Sequence, residues 1–180
     1  DLKSCQKKGI IVSNVPDYGT EDVADHTFAL ILANERNIIN FNQAVKDKLS
    51  WDWSLGKDLS RIRGKVFGVI GLGRIGMAVA LRAKAFGFNV NFFDPYKSNG
   101  IEKSLNLSRS YSLKELSGQA DIISIHTPLN NETKGMINKS FFKTAKKGIS
   151  IYNTARGEII NLDHLFDSIK EWIVDKAGLD

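Results

Sequence analysis

With 180 residues, 42% hydrophobic composition and three prolines, the chain holds enough apolar material for one packed domain and a fragment of a second, which excludes a disordered chain. Its formal charge of +5 is scattered, and the densest basic cluster, Lys143, Lys146 and Lys147, lacks interleaved aromatics, so it reads as a solvated face and no direct nucleic-acid partner is expected. No apolar run approaches the roughly 20 residues that span a bilayer, residues 1–8 are polar, and Cys5 stands alone, so the expectation is a cytoplasmic chain with no membrane partner.

In chain order, residues 9–12 form a short apolar run that predicts a strand, closed by Asn14-Val15-Pro16. Residues 22–41 carry Val23, Phe28, Leu30, Ile31, Ile38 and Ile39 among charged residues, the spacing of a long amphipathic helix, with Thr20-Glu21-Asp22 as its acidic start. Residues 51–63, with two tryptophans, a glycine and mixed charge, predict an irregular connection.

From there two kinds of segment alternate. Apolar runs at 65–71, 88–94, 121–126, 148–153 and 174–180 predict strands buried on both faces. Helical spacing at 74–86, 113–118, 139–146 and 162–173 places a helix between each pair. Repeated strand and helix predict an α/β fold, a doubly wound parallel sheet with right-handed crossovers.

Gly71-Leu72-Gly73-Arg74-Ile75-Gly76 lies directly between the predicted strand 65–71 and the helix that follows. This is the glycine pattern of a dinucleotide site in its required context: Gly71 allows the tight turn, Gly73 lets backbone approach a pyrophosphate, and Gly76 lets helix and strand pack closely. Asp94 ends the next strand, at about the spacing where a carboxylate meets the ribose hydroxyls. A carboxylate there accepts from a diol and repels a 2′-phosphate, so the predicted cofactor is NAD rather than NADP.

Four further stretches carry a family resemblance: residues 62–96, Val23-Ala24-Asp25-His26-Thr27, His126-Thr127-Pro128-Leu129 with Thr133, and Asn153-Thr154-Ala155-Arg156-Gly157. Together they resemble D-2-hydroxyacid dehydrogenases, above all the C-terminal-binding-protein branch, which shares Asp25 where many relatives carry Glu. The resemblance implies that Thr127, Pro128, Leu129 and Thr133 lie along the cofactor, that His26 or Thr27 approaches it, and that Thr154, Ala155 and Arg156 close over the nicotinamide. It implies that Asp180 orients the carboxamide. Arg156 is the implied catalytic residue, a permanently charged planar fork suited to a 2-oxo acid; without the motif it would read as a loop cation in a surface ion pair. His126 is expected to be structural and His164 exposed, and Glu158 stands where glycine is usual.

The resemblance also implies an acid–base histidine and glutamate downstream of Asp180. Residues 1–20 are expected to be the last piece of a substrate domain, residues 21–180 an NAD-binding domain cut short, and the chain a portion of a longer enzyme. The implied activity is hydride transfer between NAD and a small D-2-hydroxy or 2-oxo acid, in a homodimer built around the 22–41 helix. The alternative is an NAD(H)-responsive binding protein without turnover.

Overall fold

A computed structural model describes residues 1–180. Six parallel strands form one sheet: β1 (Val66–Ile70), β2 (Asn89–Phe93), β3 (Ser108–Arg109), β4 (Ile122–Ile125), β5 (Ile149–Asn153) and β6 (Val174–Leu179), in the order β3-β2-β1-β4-β5-β6. β1 and β4 pair with Ile70 opposite Ile125, so the strand order reverses between them and leaves a crevice at their C-terminal ends. This is the doubly wound sheet expected, with the five strands predicted after residue 60 in place, although β6, at the sheet edge, is buried only at Val174 and Gly178 rather than along both faces. The structure adds β3 and the helix α5 (Ile101–Leu105), both too short to show a hydrophobic period.

Helices α2 (Thr20–Glu35) and α4 (Arg74–Ala85) pack on one face, where Phe28, Ile31, Val79 and Ala83 meet Phe67, Phe92 and Tyr152. Helices α6 (Leu113–Gln119), α7 (Lys139–Thr144) and α8 (Leu162–Lys170) cover the other, where Leu116, Phe141, Phe142 and Leu165 meet Ile123, Ile125 and Ile151. Burying Phe28 and Ile31 is worth about 1.5–3 kcal/mol each, enough to fix α2, and with it His26 and Thr27, against the sheet.

Three expectations are corrected. The predicted 22–41 helix is two helices, α2 and α3 (Ile38–Lys48), broken at Arg36 and Asn37; Asn37 adopts φ 54°, a conformation Asn tolerates, and donates to the Leu55 carbonyl at 2.9 Å. Ile38 and Ile39 therefore leave the apolar face of α2 and are half exposed. Residues 9–12 pair with no strand, and Ile11 is 94% exposed; a polar-backboned apolar run needs a neighbouring strand, and the sheet edge is elsewhere. His164 is half-buried rather than exposed, its Nδ1 fully so. Ahead of α2 lies a short helix α1 (Leu2–Lys7), and no residue before Ala24 is buried. No helix is long and apolar enough to cross a membrane.

Candidate active site

The loop from β1 to α4 sits at the crevice. Gly71 has φ 88°, and a Cβ there would lie 2.8 Å from the His126 carbonyl oxygen, while a Cβ on Gly76 would run into the Gly71 carbonyl. Glycine is required at both. Gly73 differs: nothing lies within 4 Å of where its Cβ would be, so the backbone there faces open space. Gly73 is also the N-cap of α4 and supplies no side-chain cap, which leaves the first-turn N–H groups and the positive end of the helix dipole to an anion. Exposed Arg74 begins the helix beside it, and Ile75 lines the same space.

Asp94 is held by the chain as well as offered to a ligand. Leu72 N–H donates to Asp94 Oδ2 at 2.8 Å and Tyr96 N–H to Asp94 Oδ1 at 2.9 Å, so the carboxylate is fixed to the glycine loop with lone pairs left for a diol. It lines a cleft of about 470 Å³ with Gly71, Phe93, Tyr96, Leu113, Thr127, Pro128, Thr133 and Met136. The apolar floor and polar rim suit an adenosine.

A second cleft, of about 780 Å³, continues from it past Gly73, Arg74, Ile75, Thr127, Pro128 and Leu129 to Thr154, Ala155 and Arg156. Thr127 Oγ1 is buried in the shared wall with no hydrogen-bond partner. The Thr133 hydroxyl is spent on the loop, donating to the Pro128 carbonyl at 2.5 Å and accepting from Asn130 N–H at 2.9 Å. His126 lines both clefts beside Thr127, its Nε2 2.8 Å from Ser124 Oγ, and burial pushes its pKa down to about 4. It is neutral and has no carboxylate partner, the properties of a structural residue.

At the far end, a third cleft of about 590 Å³ holds Asp22, Val23, His26, Thr154, Ala155, Arg156 and Asp180. His26 and Asp180 face each other at its rim, 3.8 Å apart and both exposed. Thr27 is buried behind them. Its hydroxyl donates to the Val23 carbonyl at 2.7 Å, so the proton in its 2.7 Å bond to Thr154 comes from Thr154. Of the pair His26 and Thr27, the first lines the cleft and the second anchors Thr154.

Arg156 stands where the second and third clefts meet. Its only side-chain bond runs to the Ala155 carbonyl at 2.6 Å, and no carboxylate pairs with it, which removes the reading of a surface ion pair. Glu158, the nearby departure from glycine, pairs with Lys134 at 2.9 Å. The turn carrying Arg156 is clasped by buried Asn153, whose Oδ1 accepts from Ala155 N–H at 3.0 Å and whose Nδ2 donates to the Arg156 carbonyl at 2.9 Å. The Asn153 carbonyl also accepts from Asp180 N–H at 3.1 Å, tying both sides of the third cleft to one residue. Asn153, although inside the motif that carries Arg156, was given no role from sequence, and neither were Asn130, Tyr96 and Glu132. An Asn two residues before a required turn was the available signal for the first, and Asn130-Asn131-Glu132-Thr133 for the second.

Residues 28–180 match the family D-isomer specific 2-hydroxyacid dehydrogenase, NAD binding domain. The chain belongs to this family. It is 39% identical over its whole length to D-3-phosphoglycerate dehydrogenase of Bacillus subtilis, covering 34% of that protein, and 35% identical to glyoxylate reductase of Korarchaeum cryptofilum, covering 54%. All of it superposes on 53% of D-lactate dehydrogenase from Aquifex aeolicus, solved with NAD and lactic acid, at 36% identity and a TM-score of 0.87. The chain thus spans a third to about half the length of these relatives. As an NAD-binding domain it fits its cofactor: the open cradle over Gly73, the uncapped α4, the unpartnered Thr127 hydroxyl and the fixed Asp94 follow one another along the continuous groove.

Proposed function

We propose that the protein of which this chain is part is an NAD-dependent oxidoreductase acting on a small D-2-hydroxy acid or its 2-oxo counterpart. The observation that carries this reading is Arg156, a guanidinium free of carboxylate partners at the junction of the two clefts beyond the phosphate loop. NAD(H), when bound, supplies or receives the hydride. Gly71–Gly76 and Asp94 seat its phosphates and adenosine ribose. Thr127, Pro128, Leu129 and Thr133 form the wall along it, and His26, Thr154, Ala155 and Asp180 surround its reactive end. Arg156 grips the substrate carboxylate and polarises the carbonyl, a contact that strengthens as charge grows on the oxygen. In the intact protein Arg156→Ala is expected to lower kcat/KM at least a hundredfold and leave the Kd for NADH within about threefold. Near-normal turnover would refute the assignment.

The same reading makes residues 1–20 part of a substrate domain, supported by their lack of any buried side chain. It includes a homodimer, supported by Ile38, Ile39, Val45, Leu49, Trp51 and Trp53, all exposed on α3 and the segment after it. Sedimentation of the intact protein as a monomer at micromolar concentration would count against the dimer.

A second reading is an NAD(H)-responsive binding protein of the C-terminal-binding type. Asp25 favours it, and in the structure Asp25 joins Glu21 on Arg82, at 2.7 and 2.6 Å, tying α2 to α4. Absence of turnover with intact NADH binding would favour this second reading.

A further inference from the structure

The rim of the cleft that Asp94 lines carries more charge than the glycine loop and Asp94 account for. Opposite Asp94, on the loop after β4, lies Glu132, whose carboxylate accepts a hydrogen bond from the Tyr96 phenol. Tyr96 in turn donates its N–H to Asp94 Oδ1 at 2.9 Å. A continuous chain of contacts therefore crosses the cleft from one carboxylate to the other.

The backbone at both ends of this bridge is held, and the exposed Tyr96 and Glu132 side chains hold each other. Asn130 Oδ1 accepts from the N–H groups of Glu132 and Thr133 at 2.9 and 3.0 Å, which sets the turn on which Glu132 sits. On the other side Arg109, only 8% exposed, lies 4.8 Å over the Phe92 ring, pairs with Glu102 at 3.1 Å, and donates to the carbonyls of Lys97 and Ser98 at 3.2 and 2.6 Å. The segment carrying Tyr96 is thereby stapled to the sheet edge. The phenol is a donor at neutral pH, and the bond to Glu132 raises its pKa further. A carboxylate free to swing in water repels a ligand weakly, whereas one already ordered loses no further freedom when the ligand arrives.

We propose that Glu132, held over the cleft by Tyr96, is a second specificity-determining carboxylate that rejects a 2′-phosphorylated adenosine. This rests on the reading that the adenosine end of NAD occupies this cleft. A 2′-phosphate would meet two fixed carboxylates, Asp94 and Glu132, against one cation, Lys97, on the same rim. An unmodified ribose diol meets no such repulsion.

The test is calorimetric titration of the intact protein with NADH and with NADPH, for the wild type, Glu132→Gln and Tyr96→Phe. Glu132→Gln keeps an acceptor for the phenol and removes the charge, so the NADPH-to-NADH ratio of Kd values is expected to fall about threefold to tenfold, through tighter NADPH binding. Tyr96→Phe keeps the charge but releases it, and the ratio falls by less. Added salt shrinks the wild-type ratio more than that of Glu132→Gln. An unchanged ratio in Glu132→Gln, or equal loss of affinity for both dinucleotides, overturns the proposal and leaves the bridge a loop-shaping contact. Failure of the wild type to bind NADH would instead remove the cofactor reading, and this inference with it.

Discussion

Two alanine substitutions in the glycine loop separate its structural from its binding role. At Gly71 the added Cβ meets the His126 carbonyl oxygen and Thr127 Cγ2, each at 2.8 Å, on a backbone with φ 88°. The conformational strain costs about 1–2 kcal/mol and the overlap about 1–3 kcal/mol, so Gly71→Ala is expected to lose about 3 kcal/mol of stability. At Gly73 the Cβ meets no atom within 4 Å, and φ is −73°. The poorer N-cap and the stiffer unfolded chain act in opposite directions, so Gly73→Ala should change stability by less than about 1 kcal/mol. The methyl group nonetheless fills the space in which backbone would approach a pyrophosphate, and NADH affinity is expected to fall about tenfold to a hundredfold. Denaturant unfolding and NADH titration of the intact protein measure the two effects separately. Unchanged NADH affinity in Gly73→Ala would refute the placement of the pyrophosphate, and a large stability loss there would refute the open cradle.

Asn153→Ala leaves Ala155 N–H and the Arg156 carbonyl without their partner; turnover is expected to fall at least tenfold while the Kd for NADH stays within about threefold, a split that steady-state kinetics with NADH titration reads directly. His126 has a folded pKa of about 4, below its ordinary 6.5, so the unfolded chain binds the extra proton between those values and stability rises with pH across that window. The contribution, up to about 3 kcal/mol, is fully present above pH 6.5 and lost as pH falls through about 4; His126→Gln should flatten this part of the unfolding profile, and an identical pH dependence would contradict the burial. Trp172 follows α8 at φ 57°, 72% exposed, in a turn closed by Ile173 N–H to the Ser168 carbonyl at 2.9 Å, a position that glycine fits without strain. Trp172→Gly is expected to raise stability by about 1 kcal/mol in denaturant unfolding, and a loss would show that the indole is packed.

The five strands after residue 60 were legible because a parallel sheet buried on both faces favours near-continuous apolar runs, such as Val66–Ile70. Residues 9–12 had the same local signature without a strand to pair with, and pairing is not a local property. The break between α2 and α3 was hidden because Ile38 and Ile39 continue the apolar count, whereas the event that ends α2 is a single left-handed Asn37 bonded across to Leu55. In the site, the chemistry-bearing residues Gly71, Gly73, Gly76, Asp94 and Arg156 stood out by type and context. The residues that hold them did not: Asn153, Asn130 and Tyr96 act through backbone contacts that depend on how the loops meet. Thr27 and Thr133 show the converse, hydroxyls that look free in sequence and are already bonded within the protein.

Hydride transfer to a 2-oxo acid is the step proposed for the intact protein, and its most direct measurement is oxidation of NADH with glyoxylate, pyruvate or hydroxypyruvate, the lactate formed from pyruvate being resolved by chiral chromatography. Turnover in the range of about 1–10³ per second with at least one of these acids, one hydroxy acid formed per NADH consumed, and the D enantiomer wherever pyruvate is reduced, is the predicted result. NADH that binds to the Gly71–Gly76 loop but is oxidised by none of the three acids, or L-lactate as the product, would contradict it.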